Sequence, residues 1–112
     1  MYHIYIIECE HGELYTGITT DISRRMKEHF FQTEKCARFT KSHKAISLKA
    51  LWITDTRSSA SKLEWRIKKL AKSEKNQLIE SNENFSYFFK DLLSDNYSRL
   101  SDFNINDMLN KK

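Results

Sequence analysis

The chain has 112 residues, which is the size of one small domain and leaves no room for a second. Its composition is 39% hydrophobic and 30% charged, and no apolar run approaches the roughly 18 residues of a membrane-spanning helix. The first residues lack the features of a signal peptide, and Cys9 and Cys36 stand outside any metal-binding spacing. Composition therefore argues against a membrane or zinc-finger protein, and we expect a cytoplasmic protein with free thiols.

The net charge of +4 is distributed unevenly along the chain. Residues 35–75 carry twelve Lys or Arg and three acidic residues, a net charge of +9, whereas both flanking segments are net acidic. A basic segment of this kind is typical of proteins that bind a phosphate-rich partner. Charge alone fits a solvated Lys-rich surface equally well.

The start of the chain predicts two strands and a helix. Residues 2–9 are rich in aromatic and β-branched side chains, and residues 14–19 follow after a polar turn, so the two segments predict an antiparallel hairpin. Asp21 is the predicted N-cap of a helix that runs to about Gln32. The predicted buried stripe of this helix consists of Ile22, Met26 and Phe30.

The middle of the chain predicts one more strand and two helices. Residues 33–45 form a polar connection without a period, and residues 46–54 predict a third, central strand. Ser58 or Ser59 is the predicted cap of the next helix, and a short helix follows from Ser73 to Ile79. The apolar positions of the first of these helices are Ala60, Leu63, Ile67 and Leu70.

This order, β-β-α-β-α-α, predicts a small α+β domain with a three-stranded antiparallel sheet flanked by helices. We place that domain at residues 1–82 and a C-terminal extension, helical or partly disordered, at residues 83–112. The extension alternates aromatic residues with acids, which leaves open a protein-interaction role for the tail, against a partner or a second copy of the chain.

Five residues in these elements have side chains suited to catalysis, and their spacing along the chain is distinctive. Tyr5 and Tyr15 lie ten residues apart on the paired strands, Arg25 follows after ten more, and His29 after another four. Glu64 lies in the later helix. This pattern resembles the GIY-YIG nuclease domain family, from residue 2 to about residue 80.

The likeness is greatest to the small stand-alone bacterial branch of that family, which often has the stretch found here at residues 15–19. The first triplet begins with His3 instead of glycine and has Ile4 in its middle, and the second carries Thr16 instead of isoleucine. Neither tyrosine is lost by these departures.

The resemblance implies a metal-dependent endonuclease that hydrolyses phosphodiester bonds of DNA, including branched, damaged or single-stranded forms. It implies Mg²⁺ or Mn²⁺ as the cofactor, with Glu64 as the metal ligand, and Tyr5 as the base or water-orienting group. The catalytic residues it implies are Tyr5, Tyr15, Arg25, His29 and Glu64.

The residues themselves allow simpler interpretations. Glu64 is suited to Mg²⁺, yet it also lies four residues before Lys68, as in a surface ion pair. Arg25 can bind phosphate in a bidentate way, yet Arg and His near a helix end are common on surfaces. Two strand tyrosines are often only packing partners.

A nucleic acid is the predicted partner, and DNA is the form that the resemblance favours. Phe39 allows stacking on a base, although such a residue more often anchors a loop. A non-catalytic nucleic-acid-binding module on the same scaffold is the alternative to an enzyme. The predicted nucleic-acid contacts are Gly17, Arg38, Lys41, Lys62, Arg66, Lys68 and Lys69.

Overall fold

The protein is described from a computed structural model, which covers residues 1–110. A single antiparallel sheet, with the strand order β2-β1-β3-β4, forms its centre. Strand β1 pairs with β2 on one side and with β3 on the other. The strands are β1 (Tyr2–Cys9), β2 (Leu14–Thr19), β3 (Ala45–Thr54) and β4 (Ser98–Leu100).

Six α-helices and one turn of 3₁₀-helix surround the described sheet. The 3₁₀ turn spans Lys90–Leu92. The helices are α1 (Ile22–Phe30), α2 (Arg38–Ser42), α3 (Arg57–Lys68), α4 (Lys72–Glu80), α5 (Glu83–Phe88) and α6 (Ile105–Asn110). None of these described helices combines the length and the apolarity that crossing a membrane requires.

The α+β class with an antiparallel sheet is confirmed, but the predicted strand count and element order are wrong. The sheet has four strands, because β4 from the C-terminal part pairs with Leu51–Ile53 of β3. The polar connection at residues 33–45 also contains helix α2. A three-residue strand and a five-residue helix are too short to produce a recognisable hydrophobic period.

Two helix starts are made by side-chain caps of the expected kind. Asp21 accepts a hydrogen bond from the Arg24 amide, as predicted, whereas Thr56 caps α3 in place of the predicted serines. Of the predicted stripe of α1, only Met26 is fully buried. The other buried residues of this helix are polar, Glu28 and His29.

The sheet separates two hydrophobic clusters. Ile4 and Ile6 of β1 pack with side chains of α3, α4 and α5, including Leu63 and Ile67. Tyr5 belongs to the opposite cluster, together with Met26 and Leu51. Alternate residues of β1 therefore serve opposite faces of the sheet.

Residues after 82 contribute to both clusters. Phe85 and Phe89 are buried in the first cluster, and Met108 packs against the second. Arg99 of β4 donates hydrogen bonds to the Leu78 and Ile79 carbonyl oxygens at 3.1 and 2.8 Å. The described part of the predicted extension thus packs against both clusters, while its last two residues, 111 and 112, lie outside the described chain.

Candidate active site

The Tyr5 side chain lies across β2 at the only glycine of that strand. Tyr5 and Gly17 are opposite each other in the register of β1 and β2, and Tyr5 is fully buried. A Cβ atom on residue 17 would lie 2.6 Å from the phenol carbon Cζ of Tyr5. Glycine is therefore needed here, because a larger residue would displace the Tyr5 hydroxyl.

A chain of three hydrogen bonds, of which the first two are buried, holds this hydroxyl. The Tyr5 oxygen lies 2.6 Å from Nε2 of His29, and Nδ1 of His29 lies 2.8 Å from the Thr40 hydroxyl. Thr40 donates its own proton to the Ala37 carbonyl oxygen at 3.1 Å. Its oxygen must then accept from Nδ1–H, which leaves Nε2 as an acceptor for the Tyr5 proton.

Burial keeps both ring groups of this hydrogen-bond series, Tyr5 and His29, neutral. Burial raises the pKa of Tyr5 well above its ordinary value, and the neighbouring Arg25 guanidinium opposes that rise. Burial, with Arg25 as a second cause, lowers the pKa of His29 to about 4. At neutral pH the phenol therefore keeps its proton and directs it toward an uncharged imidazole.

Arg25 is held in place by partners on two sides. Its Nη1 donates to Oε1 of Glu28 and to the Lys35 carbonyl oxygen, both at 2.7 Å. Neither contact uses Nη2 or Nε, so the guanidinium can still address an anion. Its burial lowers the pKa of Arg25, but the interaction with Glu28 and the nearby Tyr5 hydroxyl outweigh this effect and raise it, so the charge is secure.

Tyr15 covers the site from the side of α2. Its ring centroid lies 6.5 Å from that of Tyr5 and 5.4 Å from that of His29. Phe39 stacks on Tyr15 at 5.6 Å, and His43 stacks on Phe39 at 4.1 Å. Phe39 is thus an anchor for α2, which is the simpler of its two interpretations.

Glu64 approaches the tyrosines from α3. Its carboxylate lies 3.3 Å from Nζ of Lys68, and that Nζ lies 5.9 Å from the ring centroid of Tyr15. The negative charge of Glu64 is close enough to Tyr5 to contribute to the raised pKa of the phenol. The structure therefore brings all five predicted catalytic residues together, and it also contains the predicted Glu64–Lys68 ion pair.

The donor set fits a metal ion that is shared with a substrate. Within residues 1–110, no group of three or more His, Cys, Asp or Glu side chains could hold an ion by itself. Mg²⁺ is commonly held by one or two carboxylates, with substrate oxygens and waters as the other ligands. Glu64, which keeps 24% of its side chain exposed, is suited to that arrangement.

The predicted nucleic-acid contacts fall into two groups. Gly17 and Lys68 lie at the tyrosines, and Arg38 and Lys41 are exposed on α2 beside them. Lys69 lies 3.9 Å above the ring of the exposed Trp65. Gly17, Lys68, Arg38 and Lys41 thus border or flank the site, whereas Trp65, the partner of Lys69, lines a hollow together with Lys62 and Arg66.

The remaining two predicted contacts, Lys62 and Arg66 of α3, face the C-terminal segment. Nζ of Lys62 lies 3.5 Å from Asp95, and Nη1 of Arg66 lies 2.6 Å from Asp91. Both positive charges are therefore compensated within the protein, away from the tyrosines.

Two residues that support the site were not recognised in the sequence. Glu28 has a local signal, since it lies three residues after Arg25 on the same helix face. Thr40 has none, because its contact with His29 depends on how α2 packs against α1.

Comparison with known proteins identifies the family. The sequence model described as the GIY-YIG catalytic domain matches residues 1–77. A UPF0213 protein of Fusobacterium nucleatum is 38% identical over 84 residues, which are 75% of this chain and 82% of that protein. A UPF0213 protein of Desulfotalea psychrophila is 42% identical over 80 residues, 71% of this chain and 72% of the relative.

A solved structure is also similar. The solution NMR structure of a UPF0213 protein from Bacillus halodurans shares 30% sequence identity, with a TM-score of 0.46. The match covers 86% of this chain and 100% of the other.

Proposed function

Because this chain belongs to the GIY-YIG catalytic domain family, we propose that it is a metal-dependent endonuclease that hydrolyses phosphodiester bonds of DNA. The observation that carries the proposal is the meeting of Tyr5, His29, Arg25 and Glu64 around one buried phenol. Phosphodiester hydrolysis needs a base for the attacking water, positive charge at the phosphate and help for the leaving oxygen. The cluster offers a side chain for each requirement.

Tyr5 is the proposed base, and His29 is the proposed acceptor of its proton. As the water oxygen bonds to phosphorus and the bond from phosphorus to the leaving sugar oxygen breaks, the water proton passes to the Tyr5 oxygen and the Tyr5 proton passes to Nε2 of His29. The leaving oxygen takes up a proton from solvent, and His29 then returns its proton to solvent. The hydrogen bond of 2.6 Å between them is short enough for this transfer. The phenol does not carry charge at rest, so the two transfers belong to one step.

Arg25 is proposed to bind the scissile phosphate through the guanidinium nitrogens that Glu28 leaves free. Its fixed charge beside the phenol also favours charge developing on the Tyr5 oxygen. Glu64 is the proposed ligand of Mg²⁺ or Mn²⁺, and such an ion would supply charge for the phosphate and the leaving oxygen. Lys68 and Tyr15 are proposed to line the path of the substrate.

We propose that residues 1–82 carry the activity and that residues 83–110, the described part of the C-terminal extension, brace them. Phe85 and Phe89 support this view, because both are buried against the helices of the first cluster. The buried free thiols of Cys9 and Cys36 support a reducing cytoplasm as the compartment.

A cleavage assay with a matched pair of variants tests the proposal. The purified protein is incubated with labelled single-stranded, duplex and branched DNA, and with RNA, in Mg²⁺, in Mn²⁺ and in EDTA. We expect metal-dependent nicking of DNA that falls at least on the order of 100-fold in Glu64→Gln and in Arg25→Ala.

Glu80→Gln, a change of an exposed carboxylate at the end of α4, is the control and should cut at the wild-type rate. Undiminished cutting by Glu64→Gln and Arg25→Ala would contradict the proposal. Binding without cutting by the wild type on every substrate would point to a non-catalytic nucleic-acid module.

A further inference from the structure

An open pocket lies beside Arg25, on the side away from Tyr15. Its walls come from the end of β2, from α1, from the segment before α2 and from the start of α3. We define the basic pocket by the four positive side chains that line it: Arg24, Arg25, Lys35 and Arg57. Glu28 is the only carboxylate among the lining residues.

Two of the four charges of the basic pocket, those of Lys35 and Arg57, are uncompensated among residues 1–110. Arg25 engages Glu28 at 2.7 Å, and Arg24 lies 3.9 Å from Asp21 and 4.0 Å from Glu28. Within the described chain, neither Lys35 nor Arg57 has a carboxylate oxygen within 4.0 Å. Lys62 and Arg66 differ in this respect, because each has its own acid partner. A concave surface with excess positive charge attracts and concentrates anions.

The position of the basic pocket relates it to the candidate site. Arg25 belongs to both, so the two are continuous. Arg57 begins α3 and Glu64 lies seven residues further along the same helix, a distance of about 10 Å. One strand of a duplex carries about three phosphates over that axial length.

We propose that the basic pocket binds backbone phosphates of the substrate next to the one that is cut. The strand then runs along α3 from Glu64, past Arg25, to Arg57 and Lys35. This inference rests on the proposed function for its direction along the site. It assigns substrate binding to Lys35 and Arg57, which belong to the basic segment 35–75, and to Arg24, which does not, and it leaves Lys62 and Arg66 outside the path.

Salt-dependent binding tests this path without requiring cleavage. The dissociation constant of a fluorescein-labelled DNA duplex, and of one of its strands, is measured in EDTA over a series of KCl concentrations. Each phosphate contact that is lost should lower the slope of log Kd against log salt by about 1. We expect this change in Arg57→Ala and in Lys35→Ala, with affinity at 0.1 M KCl falling on the order of fivefold to tenfold for every sequence.

Two further lysines provide the comparison. Lys49 lies 3.6 Å from Glu8 on the sheet, so Lys49→Ala should keep the wild-type slope. Lys62→Ala should do the same, because Asp95 already neutralises that lysine. Circular dichroism checks that each variant is folded.

Unchanged slopes in Arg57→Ala and Lys35→Ala would overturn the proposal, as would an equal loss in Lys62→Ala. A third arm uses inorganic phosphate and pyrophosphate in thermal shift. Stabilisation by these small anions that depends on Arg57, together with no binding of either oligonucleotide, would also overturn it. Because EDTA prevents any metal-dependent reaction, failure of this binding test is distinguishable from failure of the cleavage assay.

Discussion

Strand β1 is buried on both faces, yet the two faces are stabilised differently. Ile4 and Ile6 enter a cluster of aliphatic and aromatic side chains, where burial of area supplies the stability. Tyr5 enters the side that contains His29 and Thr40, where each buried polar atom needs its partner. We call the side of Ile4 and Ile6 the apolar face and the side of Tyr5, His29 and Thr40 the polar face. We expect the stability of the apolar face to depend on side-chain volume and that of the polar face to depend on single hydrogen bonds.

The largest effect on stability is expected on the apolar face. Leu63 is fully buried in the first cluster, so Leu63→Ala should lower the free energy of unfolding by about 2–5 kcal/mol through lost burial and a residual cavity. Urea denaturation followed by circular dichroism measures the change. Cleavage per folded molecule should remain close to the wild-type value, because Leu63 touches none of the proposed reacting groups.

The neighbouring residue is the matched control. Glu64→Gln removes a partly exposed charge and should change the free energy of unfolding by no more than about 0.5 kcal/mol. If Glu64→Gln destabilised the fold as much as Leu63→Ala, the proposed division between the two sides of α3 would be wrong.

An effect of intermediate size is expected from pH on the polar face. The pKa of His29 is about 4 in the folded protein, against an ordinary value of 6.5. Above pH 6.5, His29 is neutral in both the folded and the unfolded protein. Between pH 6.5 and 4, His29 binds a proton only in the unfolded protein. Stability should therefore fall as the pH falls through this window, by up to about 3 kcal/mol, and level off below it.

The measurement compares wild type with His29→Gln, a polar residue that does not titrate. The free energy of unfolding from urea titrations at pH 7 and 4.5 should decrease less in the variant. His3, whose pKa burial also lowers, is present in both proteins and cancels in the difference. Equal pH dependence in the two proteins would mean that His29 is not held neutral by its surroundings.

The apolar face was largely predictable from sequence. The aromatic and β-branched run of β1 and the spacing of Ala60, Leu63 and Ile67 are local patterns, and the structure buries these three helix residues together. Strand β4 was not predictable, because its pairing with β3 joins segments nearly fifty residues apart. A short strand with few apolar residues contains no local signal of that pairing.

The polar face was predictable only in part. The family resemblance, which rests on the spacing of these residues, implied which of them form the site. It did not predict Thr40, whose contact with His29 arises from the packing of α2 on α1. The sequence also did not show which basic side chains have an acidic partner. The acids that pair with Lys62 and Arg66 come from the C-terminal segment, far away along the chain.

The most specific effect, and the smallest of the three that destabilise the fold, is expected at Thr40. Thr40→Val keeps the shape but removes the oxygen that accepts Nδ1–H of His29, so a buried donor loses its partner at a cost of about 1–3 kcal/mol. Thr40→Ser retains that oxygen. The imidazole can satisfy its proton in the valine variant by moving it to Nε2, where it would face the Tyr5 oxygen and force the phenol to accept instead of donate.

Nitrogen-15 NMR of the His29 ring distinguishes these arrangements directly. Wild type and Thr40→Ser should show the Nδ1–H tautomer, and Thr40→Val should show a shift toward Nε2–H, with DNA cleavage lowered on the order of tenfold. A purely structural role for Thr40 would lower stability without changing the tautomer. An Nε2–H tautomer in the wild type would reverse the proposed direction of proton transfer, since Tyr5 could then not pass its proton to His29. The Thr40 variants thus test whether the position of the proton on the His29 ring controls cleavage. Substitutions on the apolar face, which change only volume, cannot test this.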